Sequence, residues 1–314
     1  MNTIHRHVTT IDGPVAELTE PALALAGASI SEHTRRAYGR ALARLDRVIA
    51  GPLTDSALAE YIASLHAAGN SHSVPGLLVA AVKFRAALQD QPSPAGPATD
   101  RVLAGIRRAG KNRGRGQVAG IGWSQADAMA AVSVSTRPGL AGLRDAAIIS
   151  VMSDGMLRVS ELAALNTDDV RTEPDGSGRL TITSSKTDQT GAGAVLYLGT
   201  PTLSRVHAWL RQAGHQSGPL FRRIRRGGHL TDQRLSVRAL RDIVKTWAAD
   251  AGIDGTVSGH SLRIGGAESL AAAGAGVAEM QAAGRWLSAD MPGRYVRGEL
   301  AGRGAVARYR YGGS

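Results

Sequence analysis

Apolar residues recur at helical spacing in the first third of the chain, beginning near Ser31. In SEHTRRAYGRALARLDRVIA, residues 31–50, arginines line a second stripe beside the apolar one. The apolar stripe consists of Tyr38, Leu42, Leu45 and Ile49. Spacings of three and four residues place each set on one face, so the segment predicts an amphipathic helix with a cationic side, with Ser31 or Thr34 as its cap.

Three further segments show the same periodicity and predict helices. They are residues 54–68, 75–90 and 97–109. Pro75 suits a helix start, because the first turn does not use its missing N–H. Residues 29–111 are therefore predicted to form an all-helical domain, preceded by a flexible arm over residues 1–28, where the periodicity is absent.

Glycine and charge replace apolar residues in KNRGRGQVAGIG, which predicts a linker over residues 112–122. Beyond it, alternating apolar and β-branched residues on both sides of a Gly- and Thr-rich turn predict an antiparallel hairpin within 178–199. Helical patterns surround this hairpin: WSQADAMAAV, LRDAAIISVMSDG, MLRVSELAAL, and residues 201–213, 236–251, 261–273 and 277–284. The predicted fold class is mainly α, with a helical N-terminal domain and a mixed, mostly helical domain over 123–314 that contains a small antiparallel β-sheet.

The formal net charge is +11 at pH 7, and the chain contains no cysteine. A basic surface favours a polyanion, because each neutralised phosphate releases a counterion, so nucleic acid is the expected partner. Charges kept for solubility alone would be scattered, whereas residues 101–115 hold six Lys or Arg without an acid and residues 221–226 hold four Arg. The lack of cysteine excludes disulfides, thiolate metal sites and cysteine nucleophiles.

No run of about eighteen apolar residues occurs, and the first thirty residues carry His, Glu and Asp in place of a signal-peptide core. We therefore expect a cytoplasmic protein without a membrane partner.

Four of the 37 cationic residues are lysines, and the others are arginines. Arginine holds its proton throughout the physiological range, whereas lysine can release one. Lys186 lies at the turn of the predicted hairpin, which makes it a candidate for proton transfer. An exposed turn lysine without a role is the simpler explanation if the hairpin is considered alone.

Phosphodiester transfer without a metal ion or a cysteine needs cations that neutralise the phosphate oxygens, together with a base and an acid. Two arginines would serve as the cations, and the sequence offers a candidate base, His260 in GHSLRIGG, and a candidate acid, Lys186 at the hairpin turn. Each of these residues has an ordinary structural explanation when taken singly, such as an ion pair or a hydrogen-bonded ring. Their occurrence together favours the chemistry.

Six residues, in their motifs and their order, resemble the tyrosine recombinases, also called the phage integrase family. They are Arg158 in GMLRVSEL, Lys186 in SSKTDQT, His260 and Arg263 in GHSLR, Trp286 in AAGRW and Tyr295 in GRYVR. HxxR alone is a weak signal, but six correct residue types in the correct order are specific. The likeness begins near residue 30 and implies a C-shaped clamp on DNA, built from a SAM-like core-binding domain and a catalytic domain.

The resemblance implies that Tyr295 attacks the scissile phosphate and forms a 3′-phosphotyrosyl bond without metal, ATP or another cofactor. An unperturbed phenol has a pKa of about 10, so this tyrosine would need a base. The resemblance assigns that role to His260, and it assigns protonation of the leaving 5′-oxygen to Lys186.

The resemblance also implies that Arg158 and Arg263 hold the phosphate oxygens. Trp286 would donate its indole N–H, although core packing explains it equally well. Glu161, one turn after Arg158, would orient the catalytic groups, and pairing on the helix surface is the alternative.

Other cations are candidates for DNA contacts. Arg238, in VRAL, is assigned to a base edge, because arginine on guanine is the commonest specific contact. The phosphate candidates are Arg36, Arg40, Arg44, Arg107, Arg108, Lys111, Arg113 and Arg115. A solvated surface position is the alternative for each of them.

The implied partners are double-stranded DNA with inverted-repeat sites and further copies of the chain, a dimer on each site and a homotetramer that resolves a Holliday junction. The residues after Tyr295 would dock on a neighbouring subunit or pack on their own domain. About thirty residues precede the core-binding helices, too few for an added arm-binding domain. A type IB topoisomerase or telomere resolvase would use the same chemistry without this assembly, and a DNA-binding protein without catalysis would not need all six residues.

Overall fold

The computed structural model describes residues 28–109, 118–183 and 193–295, together with the single positions 19 and 25. The chain divides into two compact units, Met1–Gly116 and Gln117–Ser314. Each unit has its own hydrophobic core.

The described part of the first unit is helical. Its helices are α1 (Glu32–Asp46), α2 (Asp55–Ala67), α3 (Ser73–Leu88) and α4 (Pro97–Ala109). α1 packs on α3 and α2 packs on α4, around a core that includes Leu45, Leu58 and Ile62. The helices predicted from periodicity are confirmed. α3 begins two residues before Pro75, which still lies in its first turn.

Local capping fixes where these helices begin. The Ser31 hydroxyl accepts the N–H of Thr34, as predicted for a cap at the start of α1. The Asp55 carboxylate, in the first turn of α2, accepts the N–H groups of Gly96, Ala98 and Thr99 and also the Thr99 hydroxyl. The Thr54 hydroxyl accepts the N–H of Ala57 and caps α2, while Asp55 of that helix caps α4 and ties the two helices together.

The second unit is also mainly helical, which confirms the predicted fold class. Its first helices are α5 (Trp123–Thr136), α6 (Leu140–Asp154) and α7 (Val159–Ala164). Its later helices are α8 (Thr200–Ala213), α9 (Val237–Asp250), α10 (Ser261–Ala272), α11 (Val277–Gly284) and α12 (Asp290–Tyr295). α6 is buried along most of its length and packs against α5, α8 and α10, so it forms the centre of this unit.

The strands lie in two small antiparallel sheets. The first has the order β1 (Val170–Thr172), β2 (Gly178–Ile182), β3 (Ala194–Leu198), with Leu180 opposite both Val170 and Leu196. Pairing of β2 with β3 confirms the predicted hairpin. The second sheet is β4 (Arg222–Ile224) with β5 (Leu230–Arg234). The sequence did not predict β1, β4 or β5. β1 and β4 have three residues each, and β5, LTDQR, has a single apolar residue and so shows no apolar alternation.

The predicted linker over 112–122 is wrong at its C-terminal end. Ile121 is fully buried, and its N–H donates to the carbonyl of Ser261 at 2.9 Å. The N–H of Ala119 donates to Thr256 O at 3.0 Å. Because these residues pair with the segment that leads into α10, they belong to the core of the second unit despite their glycine-rich neighbours.

In the described part of the chain, no helix is both long and apolar enough to cross a bilayer.

Candidate active site

Arg158 lies at the turn between α6 and α7, immediately before the first residue of α7. Its Nη1 donates to Oε1 of Glu161 at 2.6 Å, and its backbone N–H donates to Glu161 Oε2 at 2.9 Å. A glutamate in the first helical turn commonly reaches back in this way to the residue before the helix. Glu161 therefore holds Arg158 through both its main chain and its side chain.

Arg285 is a second partner of Glu161 and was missed in the sequence. Its Nη2 donates to Glu161 Oε2 at 2.8 Å, and its Nη1 donates to the carbonyl of Gly155 at 3.0 Å. Glu161 is 3% exposed. An arginine near a helix C-terminus is an ordinary surface choice, so nothing in AAGRW distinguished this residue from any other.

The Glu161 carboxyl stays ionised although it is buried. Burial alone would raise its pKa, but the N–H of Arg158, the charge of Arg285 and the side chain of Arg158 outweigh this effect and lower the pKa below its ordinary value. One carboxylate and two guanidinium groups thus form a buried network with a net positive charge.

Arg263 lies in the first turn of α10 and is 3% exposed. Its Nη1 donates to Met156 O at 2.5 Å, and its Nη2 donates to Gly284 O. These two bonds use two of the five N–H groups of a guanidinium. Arg263 therefore connects the turn before Arg158 with the end of α11. This structural link is additional to the phosphate contact that the resemblance implies for Arg263.

Trp286 follows α11, is 8% exposed, and packs under Arg263. The Arg263 guanidinium carbon lies 4.6 Å from the centre of the indole ring, a favourable cation–π distance. Gly284 leaves room for the ring, because a Cβ at residue 284 would overlap it. Trp286 therefore packs in the core beside Arg263, and the indole N–H contact to a phosphate stays a prediction.

His260 precedes α10, and its backbone N–H donates to the Ser258 hydroxyl at 3.0 Å. Its side chain lies at the exposed surface of the unit. Partial desolvation of the ring, followed by the charges of Arg263, Arg158 and Arg241, lowers the pKa of His260, while Glu161 opposes them. This lowering of the pKa favours the neutral imidazole, the form in which a histidine can accept a proton.

Tyr295 is the last residue of α12, a helix that contacts α10 and α11. The backbone of this residue is thus on the element that packs beside Arg263 and Trp286. Its side chain is outside the description, and so is Lys186, which falls between β2 and β3.

The candidate DNA contacts are on exposed positions where they are described. Arg40 and Arg44 border a groove of about 300 Å³ between α1 and α3, which also exposes Leu77. Arg36 is exposed but pairs with Glu32 at 2.7 Å. Arg107 and Arg108 lie in the last turn of α4. Lys111, Arg113 and Arg115 lie outside the described residues.

Arg238 projects from the first turn of α9, and its side chain is 92% exposed. Its contact with Asp242, 3.9 Å between Nε and Oδ2, is long for an ion pair. In the described part of the chain, no three His, Asp or Glu side chains cluster closely enough to hold a metal ion.

Two relatives match part of the chain. An integrase/recombinase xerD homolog from Selenomonas ruminantium is 37% identical over 139 residues, which cover 42% of this chain and 40% of that protein. Recombinase cre of Escherichia phage P1 is 28% identical over 180 residues, which cover 53% of this chain and 52% of that protein.

The fold also matches solved structures. The crystal structure of the XerH site-specific recombinase, bound to a palindromic difH substrate in a post-cleavage complex, aligns over 86% of this chain and 78% of that one. Its TM-score is 0.67 at 15% sequence identity, so this likeness shows a shared fold.

Residues 125–300 match the phage integrase family. This range is more than half of the chain and includes Arg158, Glu161, His260, Arg263 and the residues up to α12. The resemblance that six residues in five motifs indicated is confirmed: the chain belongs to the phage integrase family, the tyrosine recombinases.

Proposed function

We propose that the chain is a site-specific DNA recombinase that cleaves and rejoins duplex DNA through a 3′-phosphotyrosine at Tyr295. The observation that carries this proposal is that Arg158, His260, Arg263 and Trp286 come together from the starts of α7 and α10 and the end of α11, beside the helix that bears Tyr295.

The proposed first step is an exchange of one phosphoester for another. The Tyr295 oxygen forms a bond to phosphorus as its proton passes to His260, and the bond from phosphorus to the 5′-oxygen breaks. Lys186 donates a proton to that oxygen. Rejoining runs the same steps backwards from a new 5′-hydroxyl, so the phosphoester energy is conserved and no nucleotide is consumed.

The arginine network supports this role through charge. Two negative oxygens of the phosphate gain charge as the tyrosine attacks, and preorganised guanidinium groups stabilise that charge without having to reorient. The orientation of the Arg158 guanidinium is fixed because both Glu161 oxygens accept hydrogen bonds, from Arg158 and from Arg285. The orientation of the Arg263 guanidinium is fixed because it bridges Met156 and Gly284.

Residues 29–111 are proposed to be the core-binding domain, and the second unit, which includes Ala119 and Ile121, is proposed to be the catalytic domain. Both would contact DNA. Exposed Arg40 and Arg44 would contact phosphates, and Arg238 would contact a base. A dimer on inverted repeats and a tetrameric synapse complete the proposal. Comparing size-exclusion profiles on target DNA with and without residues 304–314 tests whether the last segment joins subunits.

The central test is covalent attachment. The protein is incubated with a nicked duplex containing DNA that flanks its own gene, with and without a chelator, and protein bound to a 3′ end is sought after denaturation. We expect attachment in both conditions and none with Tyr295→Phe. Attachment that survives this change contradicts the proposal, and relaxation of any supercoiled plasmid without a defined site would favour a topoisomerase.

A further inference from the structure

Arg285 contacts residues that lie before and after Arg158 in the chain. Through Nη2 it meets Glu161, which holds Arg158, and through Nη1 it meets the carbonyl of Gly155, three residues before Arg158. Met156, next in the chain, is bound in turn by Arg263. The turn that presents Arg158 is thus held by two arginines from other elements, the buried Arg263 and the partly buried Arg285.

The backbone of Arg285 is in the left-handed region, at φ 51° and ψ 49°. Glycine adopts this conformation readily, whereas a residue with a Cβ does so at a cost. Within the described residues, Arg285 Nε is also buried without a hydrogen-bond partner. A glycine would end α11 with less strain, so stability of the helix end does not explain an arginine here.

The contact with Glu161 controls how that carboxylate meets Arg158. Oε2 already accepts Arg285 Nη2 and the N–H of Arg158, so the Arg158 side chain meets Oε1 through Nη1. If Arg285 were removed, Oε2 would be open to a second guanidinium nitrogen of Arg158, because arginine and carboxylate readily form two parallel bonds. Arg158 would then turn toward Glu161 and away from a phosphate.

We propose that Arg285 is a positioning residue for strand cleavage, which acts by occupying Glu161 Oε2 and the Gly155 carbonyl so that Arg158 faces the phosphate. This inference rests on the proposed function and assigns a residue that none of the six motif positions includes.

Arg285→Gly is the informative variant, because it removes the guanidinium and also removes the strain of a left-handed backbone at residue 285. We expect the single-turnover cleavage rate to fall roughly 10- to 100-fold, as small displacements of a catalytic group do, with DNA affinity unchanged. Millimolar guanidinium should restore part of the rate by filling the vacated space beside Glu161, and urea, which is similar in shape but neutral, should not. Full activity in Arg285→Lys would show that charge alone suffices and would overturn the positioning role.

Two controls match the variant. Asp90→Gly relieves the same left-handed conformation in the first unit, and Arg211→Ala removes one exposed charge from α8. Both should cleave at the natural rate.

Amide hydrogen exchange over residues 151–162, measured without DNA, supplies a readout apart from catalysis. It should be faster in Arg285→Gly and slowed again by guanidinium. If the natural chain forms no covalent complex, the proposed function fails and takes the cleavage role of Arg285 with it. If the natural chain cleaves, and the variant matches it in both rate and exchange, only the inference about Arg285 is wrong.

Discussion

Gly265 lies directly against Ile121, so that a Cβ on residue 265 would overlap the Ile121 backbone. The same segment is held by the bond from the Ile121 N–H to Ser261 O. Gly265, in the second half of GHSLRIGG, is thus required for packing. It lets the segment around Ile121 lie against α10, the helix that carries Arg263.

Gly265→Ala should therefore destabilise the second unit, by about 1–3 kcal/mol or more, because the neighbour is main chain that must move as a whole. Displacement of α10 should also lower the cleavage rate. Thermal unfolding measures the first effect, and the nicked-duplex assay measures the second.

Gly105→Ala is the matched control, because a Cβ at this exposed position of α4 has open space around it. It should raise stability by about 0.5–1 kcal/mol, the usual gain from alanine in a helix. Equal stability of the two alanine variants would contradict the packing assigned to Gly265.

Lys186→Arg tests why a lysine occurs at this position in a chain that otherwise uses arginine. A guanidinium keeps the positive charge but holds its proton too firmly to protonate a leaving oxygen. DNA binding should persist and cleavage should be lost. A substrate whose leaving oxygen is replaced by sulfur, which departs without a proton, should restore cleavage; unchanged cleavage of the ordinary substrate would remove the case for proton donation.

Asp55 should make the first unit sensitive to acid. Its hydrogen bonds from the hydroxyl and N–H of Thr99, and from the N–H groups of Ala98 and Gly96, together outweigh the opposing effect of desolvation and hold the pKa of this carboxyl well below its usual range. A depressed pKa stabilises the folded state fully above the unfolded value, near 3.9, and this contribution is lost as the pH falls below it.

The unfolding temperature of the natural chain should accordingly fall steeply below about pH 4. Asp55→Asn should have a lower unfolding temperature at neutral pH, and that temperature should change less as the pH falls. The pH dependence of thermal unfolding compares them. Asp100→Asn, on the exposed side of α4, is the control and should follow the natural chain.

Long periodic segments were predictable because their burial pattern repeats over several turns. Leu42 and Leu45 are core residues of α1 as their stripe predicted, and the pairing of β2 with β3 followed from alternation around one turn. Strands of three residues, such as β1, contain too few positions to show a pattern. Ile121 was misassigned because its glycine neighbours signal a loop, while its burial depends on α10, distant in sequence.

The site was predictable in its residue types but not in its connections. Arg158, His260 and Arg263 were found from their motifs, and the structure adds that Arg263 binds Met156 and Gly284. Arg285 had no sequence signal, since its role depends on a left-handed backbone and on a carboxylate more than a hundred residues away. Long-range pairs of this kind arise from tertiary packing alone.

His260 should set the acidic side of the pH–rate profile. A base acts in its neutral form, so the rate should rise as the pH passes upward through the pKa of His260. Desolvation and the charges of Arg263, Arg158 and Arg241 hold this pKa below its ordinary value, and the charge of Glu161 opposes them. Removing a positive charge near the ring raises its pKa, so Arg241→Ala should move the acidic limb to higher pH. Single-turnover rates across pH measure this, with NMR titration of the His260 ring as a second readout, and Arg211→Ala should leave both in place. A limb that stays fixed in Arg241→Ala while the ring titration moves would show that a group other than His260 takes the proton.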